Sequence, residues 1–261
     1  MQHSDVASDT ITVARQLIAS SERVLVLTGA GMSTDSGIRD FRGPEGVWTR
    51  DPEAERMSTL ENYLSSADVR RRSWRSLIAS GALEAKPNGA HLALVQLERR
   101  TALSLLVTQN TDGLHLDAGT DPARVIEIHG SSRWTRCLAC GTTAPTREVV
   151  QRVRLGDDDP HCLERRPERP CGGILKRTTI LFGESLVPAD LRRAEAHAQA
   201  CDLLLAVGST LSVYPAAGLA VLAHRAGAPV VIVNGSPTNQ DHLATVLVRG
   251  PIGEVLPAIV A

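Results

Sequence analysis

His129 is the residue of this sequence best suited to acid–base chemistry, because it closes the apolar run VIEIHG at 125–130. A neutral imidazole can take up a proton near neutral pH, since its ordinary pKa is ~6.5. A single histidine is more often structural, so its role depends on which other groups reach the same place. A run of amides and a glycine-rich turn are both predicted to do so.

Two amides and a carboxylate follow another apolar segment, in TQNTD at 108–112. Gln109, Asn110 and Asp112 could orient a carboxamide or face a developing positive charge. The alternative is local, because Asp112 or Thr111 could cap the short turn that comes next. Capping and function are compatible, so both interpretations stay open.

A glycine-rich turn, GAGMSTDSGIRDFRG at 29–43, follows a third apolar segment. Gly29-Ala30-Gly31 allows the backbone N–H groups to approach a pyrophosphate at a helix start. The dehydrogenase fingerprint would need glycine where Thr34 stands, and no acidic residue ends a second strand about 20 residues later. The turn therefore indicates a dinucleotide site but disfavours hydride transfer.

The end of the same motif adds two charges and an aromatic ring, at Asp40, Phe41 and Arg42. These side chains could lie beside the phosphate turn. Alternatively, Asp40 and Arg42 pair on a surface loop and Phe41 belongs to the core.

Four of the five cysteines cluster in one segment, as expected of a zinc site in a reducing compartment. They are Cys137, Cys140, Cys162 and Cys171. Eight residues separate the second pair, and His161 could replace Cys162 as a ligand. Four protein ligands leave no open position, so the metal would serve folding. Cys201 is predicted to be a small core residue.

Composition limits the classes of partner. The chain has 261 residues, a net charge of −1 and 3 % aromatic residues, which argues against an obligatory nucleic-acid partner. It has no apolar run of the ~18 to 20 residues that a membrane span needs, and a polar N-terminus, which predict a cytoplasmic protein. The basic run 70–72 is predicted to lie on a solvated helix face.

Six short apolar segments are typical of buried parallel strands, at 23–28, 103–108, 124–128, 202–207, 229–234 and 245–248. Helical patterns lie at 11–19, 90–99, 189–200 and 215–225, with Pro215 in a first turn and Gly227 as a stop. The alternation predicts an α/β fold, a Rossmann-like doubly wound parallel sheet.

Two segments interrupt this alternation. Residues 50–88 are helical and charge-rich, and residues 133–176 are irregular and carry the cysteines. We expect them to form a smaller zinc-binding and helical domain. The Rossmann-like, dinucleotide-binding domain then comprises 1–49, 89–132 and 177–261. The polar motifs fall beyond the carboxyl ends of its strands, where such sheets bind ligands.

Together these motifs resemble those of the sirtuin (Sir2) family of NAD-dependent protein deacylases, bacterial type, over about 23–257. The resemblance also includes Phe182-Gly183-Glu184, GSTLSVYP at 208–215 and Val233-Asn234. It implies an NAD-dependent protein-lysine deacylase, with a deacetylase favoured, that takes NAD as co-substrate, an acyl-lysine protein or peptide as substrate and zinc as a structural metal. From the composition we expect no direct nucleic-acid partner and no membrane partner.

The resemblance also implies roles for individual residues. Those implied to be catalytic are His129, Asn110 and Asp112. Those implied to contact NAD are Gly29, Ala30, Gly31, Ser33, Asp40, Phe41, Arg42, Gln109, Asn110, Asp112, His129, Gly208, Ser209, Thr210, Asn234, Gly235 and Ile252. Those implied to flank a substrate peptide, added as a strand between the domains, are Phe182, Gly183, Glu184, Ser212, Val213 and Tyr214. The four clustered cysteines are implied to bind zinc.

In the implied reaction the acyl oxygen displaces nicotinamide, and neutral His129 removes a ribose hydroxyl proton, giving O-acyl-ADP-ribose and free lysine. The sequence departs from the family pattern at Arg39, where proline is usual, at Thr111, where an aliphatic residue is usual, and in the order Ser209-Thr210. It also lacks the Tyr-x-x-Arg pair, in the helix around 69–79, that marks preference for acidic acyl groups.

Two alternatives remain from the sequence. The same pocket could serve mono-ADP-ribosyl transfer to protein or simple NAD hydrolysis. A non-catalytic NAD-sensing module is the third reading, favoured by Arg39 and Thr111 and opposed by the presence of His129, Asn110 and Asp112.

Overall fold

The computed structural model describes residues 2–43, 45–100, 102–165 and 169–261, with side chains from residue 9 onward. Within these ranges nine strands form. They are β1 (Val24–Thr28), β2 (Leu103–Thr108), β3 (Val125–Glu127), β4 (Trp134–Cys137), β5 (Thr143–Pro145), β6 (Leu175–Arg177), β7 (Leu203–Val207), β8 (Val230–Val233) and β9 (Val246–Val248).

The α-helices of the described ranges lie mostly between these strands. They are α1 (Gln2–Ala19), α2 (Val47–Arg50), α3 (Pro52–Arg56), α4 (Leu60–Ser65), α5 (Ala67–Ser80), α6 (Gly89–Arg99), α7 (Leu114–Asp117), α8 (Thr146–Arg154), α9 (Pro188–Ala200), α10 (Gly218–Arg225) and α11 (Ile252–Val260). Short 3₁₀ helices cover Ala30–Ser36, Pro122–Arg124 and Asp241–Leu243.

Six strands form one parallel sheet in the order β3-β2-β1-β7-β8-β9. Successive strands extend outward from β1 on one side and from β7 on the other, which confirms the doubly wound α/β fold. The order reverses between β1 and β7, and open α/β sheets bind their ligands at this switch point.

The sheet lies between two layers of helices. Side chains of β1 alternate between them: Val24 and Val26 pack with α1, α6 and α11, whereas Leu25 and Leu27 pack with α9 and α10. Every residue of β1 and β7 is buried, as the continuous apolar runs predict.

A second sheet, antiparallel and ordered β5-β4-β6, carries the first cysteine pair at one end. It has its own core, in which Trp74 of α5 packs with Val149 and Val150 of α8. These elements belong to the segments expected to form the smaller domain, although β6 ends at Arg177, one residue into the range assigned to the larger domain.

Two local expectations were wrong. Pro215 does not begin a helix, because Gly218 donates to its carbonyl in a preceding turn and α10 starts only at Gly218. Arg70 is 8 % exposed, because its guanidinium turns inward to Asp159. The other arginines of that run, Arg71 and Arg72, remain partly exposed.

None of the helices in the described part of the chain has the length and apolar character needed to cross a membrane.

Candidate active site

A cavity of about 1280 Å³ opens at the carboxyl ends of β1, β2, β7 and β8. The backbone ladder continues past these strands, because Gly29 donates to Val207, Gln109 to Thr28 and Gly208 to Val233. These bonds hold the polar motifs that follow the strands together at the same edge of the sheet. The sheet thus gathers groups that lie far apart in the sequence around one cavity.

The glycine-rich turn forms one wall, with Gly29, Ala30 and Gly31 lining the cavity at the start of a 3₁₀ helix. Its packing depends on Gly208, whose carbonyl accepts from the Gly31 N–H at 2.9 Å. Gly208 has φ +64°, and a Cβ atom there would lie 2.5 Å from the Met32 nitrogen. The two loops can meet only as bare backbone, and the N–H groups of Gly29 and Gly31 are used in joining them to Val207 and Gly208.

His129 lines the same cavity, half-buried, in the turn that follows β3. Its Nδ1 lies 3.2 Å from the carbonyl oxygen of Gln109. Since a carbonyl can only accept, Nδ1 carries the proton, and the lone pair of neutral His129 is on Nε2. Burial lowers the pKa of His129, opposed by this hydrogen bond. The imidazole is therefore neutral near pH 7 and can act as a base.

Asn110 and Asp112 tie the glycine turn to the end of β2. The Asn110 amide donates to the Gly29 carbonyl at 3.1 Å and to the Ser33 hydroxyl at 3.0 Å. The Ser33 hydroxyl donates to Asp112 at 2.8 Å, while the other carboxylate oxygen of Asp112 accepts from the Leu114 N–H. Asp112 thus accepts from one N–H in the first turn of α7, although the N-cap of this helix is Gly113, and the same carboxylate supports the glycine turn.

The loop after the glycine turn contributes an exposed aromatic wall. Phe41 is 44 % exposed and lies 4.6 Å from the Trp48 ring, which in turn lies 5.8 Å from Phe182. Arg42 pairs with Glu55 and stacks over Trp48, so it does not pair with Asp40 as the surface-loop alternative required. Phe41 is equally not a core residue.

Phe182 links the cavity lining to the segment that leads from α3 into α4. Its N–H donates to Ser58 and its carbonyl accepts from Leu60. Glu184 fixes the following turn, because its carboxylate accepts from the Leu181 N–H at 2.7 Å and pairs with Lys176 at 2.9 Å. The cavity mouth is completed by Tyr214, which is 65 % exposed.

The clustered cysteines form a separate site. Their sulfurs all lie within 4.8 Å of one another, with 3.8 Å between Cys137 and Cys171 and 3.7 Å between Cys140 and Cys162. Tetrahedral Zn–S bonds of ~2.3 Å place sulfurs ~3.8 Å apart, so the four thiols fit zinc. An antiparallel bridge between His161 and Ile174 brings the second pair together despite its long loop, and His161 is not part of the cluster.

Most of the residues predicted from the sequence line the cavity. They are Gly29, Ala30, Gly31, Asp40, Phe41, Arg42, Gln109, Asn110, His129, Gly208, Ser209, Thr210, Asn234, Gly235, Ile252, Phe182, Gly183, Glu184, Val213 and Tyr214. Ser33 and Asp112 lie behind the wall and support it, and Ser212 bonds to Thr210 behind the same loop. Arg39 is exposed away from the lining.

Several lining residues were not predicted from the sequence, among them Trp48, Arg177, Thr179 and Ile180. The chain has three tryptophans, and Trp48 is the one close to the glycine motif in the sequence, so it could have been noticed. Arg177 gave no signal, because nothing in its local sequence indicates that it faces the cavity.

Comparison with known proteins places this geometry in context. A model of the Sir2 family matches residues 29–215. The chain is 49 % identical over 236 residues to NAD-dependent protein deacetylase 2 of Streptomyces coelicolor, covering 90 % of this chain and 95 % of the relative. It is 40 % identical over 255 residues to NAD-dependent protein deacylase 2 of Archaeoglobus fulgidus, covering 97 % and 95 %.

The fold agrees with a solved structure of a Sir2 variant with a deacetylated p53 peptide and 3′-O-acetyl ADP-ribose. The TM-score is 0.87 at 31 % identity, covering 95 % of this chain and 96 % of the other.

Proposed function

This chain belongs to the Sir2 family, and from that premise we propose that its cavity performs NAD-dependent removal of acyl groups from protein lysines, acetyl among them. The observation that carries the assignment is the convergence of His129, Asn110 and the glycine turn on one cavity. Its volume of about 1280 Å³ exceeds the ~300–1,000 Å³ of ordinary small-molecule pockets. That size suits a dinucleotide together with a modified side chain.

The reaction consumes one acyl-lysine, one NAD and one water. The bond between nicotinamide and the ribose carbon breaks, and the acyl oxygen bonds to that carbon in its place. The amide bond of the lysine also breaks, a ribose hydroxyl oxygen forms an ester with the acyl carbon, and the oxygen of water replaces the acyl oxygen. The products are nicotinamide, O-acyl-ADP-ribose and lysine as its ammonium form, which balances atoms and charge. The transfer involves no oxidation, in keeping with the absence of the dehydrogenase glycine at Thr34.

We assign the proton transfer to His129. The residue lines the cavity, and the contact of Nδ1 with the Gln109 carbonyl leaves the lone pair of the neutral ring on Nε2. A base in this position accepts a proton from a ribose hydroxyl, so that the oxygen can attack the acyl carbon. The amides of Gln109 and Asn110, at the end of β2, are assigned to the nicotinamide side of the cavity.

The glycine turn is assigned to the phosphates, and the loop from Asp40 to Arg42 to the ribose beside it. Thr210, Asn234 and Ile252, which lie after β7, after β8 and at the start of α11, are assigned to the adenosine half. Phe182, Gly183 and Val213 lie at the cavity mouth and are assigned to the peptide. Asp112 and Ser33 act indirectly, because they position the turn and Asn110.

Zinc bound by the four cysteines would have no open coordination position, so its contribution is to the fold of the smaller sheet.

The assignment is tested with His129→Ala, which should lose at least about a thousandfold in deacylation, as removal of a general base together with its positioning effect implies. NAD affinity, measured by calorimetry, should change little. Unchanged turnover in this variant would defeat the assignment. Product analysis by mass spectrometry separates the alternatives: O-acyl-ADP-ribose marks deacylation, whereas ADP-ribose alone or labelled protein marks hydrolysis or ADP-ribosyl transfer.

A further inference from the structure

Arg177 is a cation on the cavity wall that the reaction described above does not use. It is the last residue of β6, and its half-buried side chain lines the cavity with Thr179 and Ile180. It belongs to the smaller sheet, not to the parallel sheet whose strands precede Thr210 and Asn234. The question is what this charge faces.

The guanidinium is held by hydroxyl groups. It donates to Ser73 of α5 at 3.1 Å and to Ser132 at 3.4 Å. The Ser132 hydroxyl lies 2.9 Å from that of Thr111, which lines the cavity as well. This hydroxyl set, Ser73, Ser132 and Thr111, orients the guanidinium without neutralising it.

Throughout the described ranges, no carboxylate oxygen lies within ion-pair distance of Arg177. The neighbouring buried cations differ. Lys176 pairs with Glu184 at 2.9 Å, and Arg70 pairs with Asp159 at 2.8 Å. Burial lowers the pKa of Arg177, yet a guanidinium remains charged at neutral pH.

Leaving a buried charge without a counter-charge is costly, and proteins normally pair such groups. Ser73 and Ser132 satisfy some of the N–H donors but supply no negative charge. An anion that enters the cavity would supply it. Arg177 is therefore a cation without a carboxylate partner, placed on a cavity wall where an anionic ligand can supply the negative charge.

The position of Arg177 relates this charge to the reacting groups. The Ile180 N–H donates to the His129 carbonyl at 2.8 Å, so the segment from Arg177 to Ile180 runs beside the proposed base. Three residues of extended chain span at most ~10 Å. The backbone of Arg177 therefore lies within about 10 Å of Ile180, whose N–H contacts His129.

The NAD phosphates are poor candidates for this anion. The glycine turn assigned to them contacts Gly208 and Asn110, whereas Arg177 contacts α5 and Ser132. Thr179 and Ile180, which lie between Arg177 and Phe182 in the chain, also line the cavity, so Arg177 belongs to the segment that leads to the edge assigned to the peptide.

We propose that Arg177 binds the terminal carboxylate of an acidic acyl chain, so that this enzyme removes dicarboxylic acyl groups from lysine in addition to acetyl groups. A guanidinium can bind a carboxylate through two parallel hydrogen bonds, a geometry suited to this recognition. The inference rests on the deacylase function proposed above. It also revises the expectation from the missing Tyr-x-x-Arg pair, because the cation comes from β6 and not from α5.

The first test compares substrates on the unmodified protein. Peptides of one sequence carry acetyl-lysine, succinyl-lysine or succinamoyl-lysine, the last being a neutral analogue of nearly the same shape as succinyl. With saturating NAD, kcat/KM for succinyl should exceed that for succinamoyl by at least about tenfold, as a charge-assisted contact implies. Malonyl and glutaryl peptides then identify the preferred length.

Equal or lower kcat/KM for the succinyl peptide would overturn the inference, provided the acetyl peptide is turned over. Failure of the deacylase function looks different, because no peptide would then give O-acyl-ADP-ribose or release nicotinamide. The comparison needs no variant and does not depend on the folding of an altered protein.

The second test uses Arg177→Gln. The ratio of kcat/KM for succinyl to that for acetyl should fall at least about tenfold. Arg177→Lys should recover part of the ratio, because it restores the charge without the paired N–H donors. Arg154→Gln, at an exposed arginine of α8, is the matched control and should leave the ratio unchanged. An equal fall for both peptides in Arg177→Gln would mean a structural role and would refute acyl recognition.

Discussion

Nδ1 of His129 lies 3.2 Å from the carbonyl oxygen of Gln109, and this contact determines which nitrogen of the ring can act as a base. The residue before Asn110 thus orients the imidazole through its backbone, while its own side-chain amide donates to Ser209 at 2.9 Å. A substitution at Gln109 therefore leaves the carbonyl in place, so the tautomer of His129 is protected by the main chain.

The pH dependence of deacylation should follow the protonation of His129. Burial lowers its pKa below the ordinary ~6.5, and the base must be neutral. We expect kcat/KM for an acetyl peptide to be flat from about pH 7 upward, toward pH 8, and to fall as pH decreases through the lowered pKa. An acidic limb centred above pH 7 would contradict this environment for the ring.

Gly208→Ala should reduce both stability and NAD affinity. Its φ of +64° strains any other residue by ~1–2 kcal/mol, and the new Cβ would clash with the backbone at Gly31 and Met32. We expect a loss of at least about 2 kcal/mol in the free energy of unfolding, measured with urea. Gly227→Ala is the matched control, because Gly227 has φ +89° and open space around it. If both variants lose the same free energy of unfolding, the close packing of the two loops is not the reason that position 208 requires glycine.

Removal of the metal should destabilise the smaller sheet. We expect about one zinc per chain by elemental analysis, and a chelator should lower the thermal unfolding midpoint by several degrees. Cys171→Ser should reproduce this loss. Cys201→Ser, at a buried cysteine outside the cluster, should retain the metal. A metal-free protein with an unaltered midpoint would show that the cysteines pack without zinc.

Because of Glu127, the free energy of unfolding should decrease as pH rises. Burial raises its pKa from 4.5 to about 7, and one of its oxygens is buried without a hydrogen-bond partner. Between these two values the unfolded chain loses a proton that the folded state keeps, so unfolding becomes more favourable with pH.

Glu127→Gln removes this titration. We expect it to raise the free energy of unfolding by on the order of 1 to 3 kcal/mol at pH 8, and by much less at pH 4.5. Glu148→Gln, at an exposed residue of α8, should have little effect at either pH. A gain for Glu127→Gln that is equal at both pH values would exclude the buried carboxylate as its cause.

Features with local causes could be predicted from the sequence. The strand β2 has the predicted bounds of 103–108, because a run of apolar residues between polar ends admits few alternatives. The glycine turn, the amides after β2 and His129 were also found, since each follows a buried strand directly. Parallel strands then place these ends together, so local patterns were sufficient to assemble most of the cavity.

Features that depend on distant contacts could not be predicted. Arg177 meets Ser132 and Ser73 across 45 and 104 residues of sequence, so only the folded chain shows that it lines the cavity. The burial of Arg70 has the same cause, because its partner Asp159 lies 89 residues away. The start of α10 was predicted too early, at Pro215, because proline also suits the turn that precedes this helix.

The indole of Trp48 touches both Phe41, on the loop assigned to the nucleotide, and Phe182, on the edge assigned to the peptide. Any movement of one ring must be accommodated by the other through this shared neighbour. We therefore expect binding of the two substrates to be coupled, because the substrate that binds first alters the surface offered to the second. By thermodynamic reciprocity the coupling free energy is equal in both orders of addition.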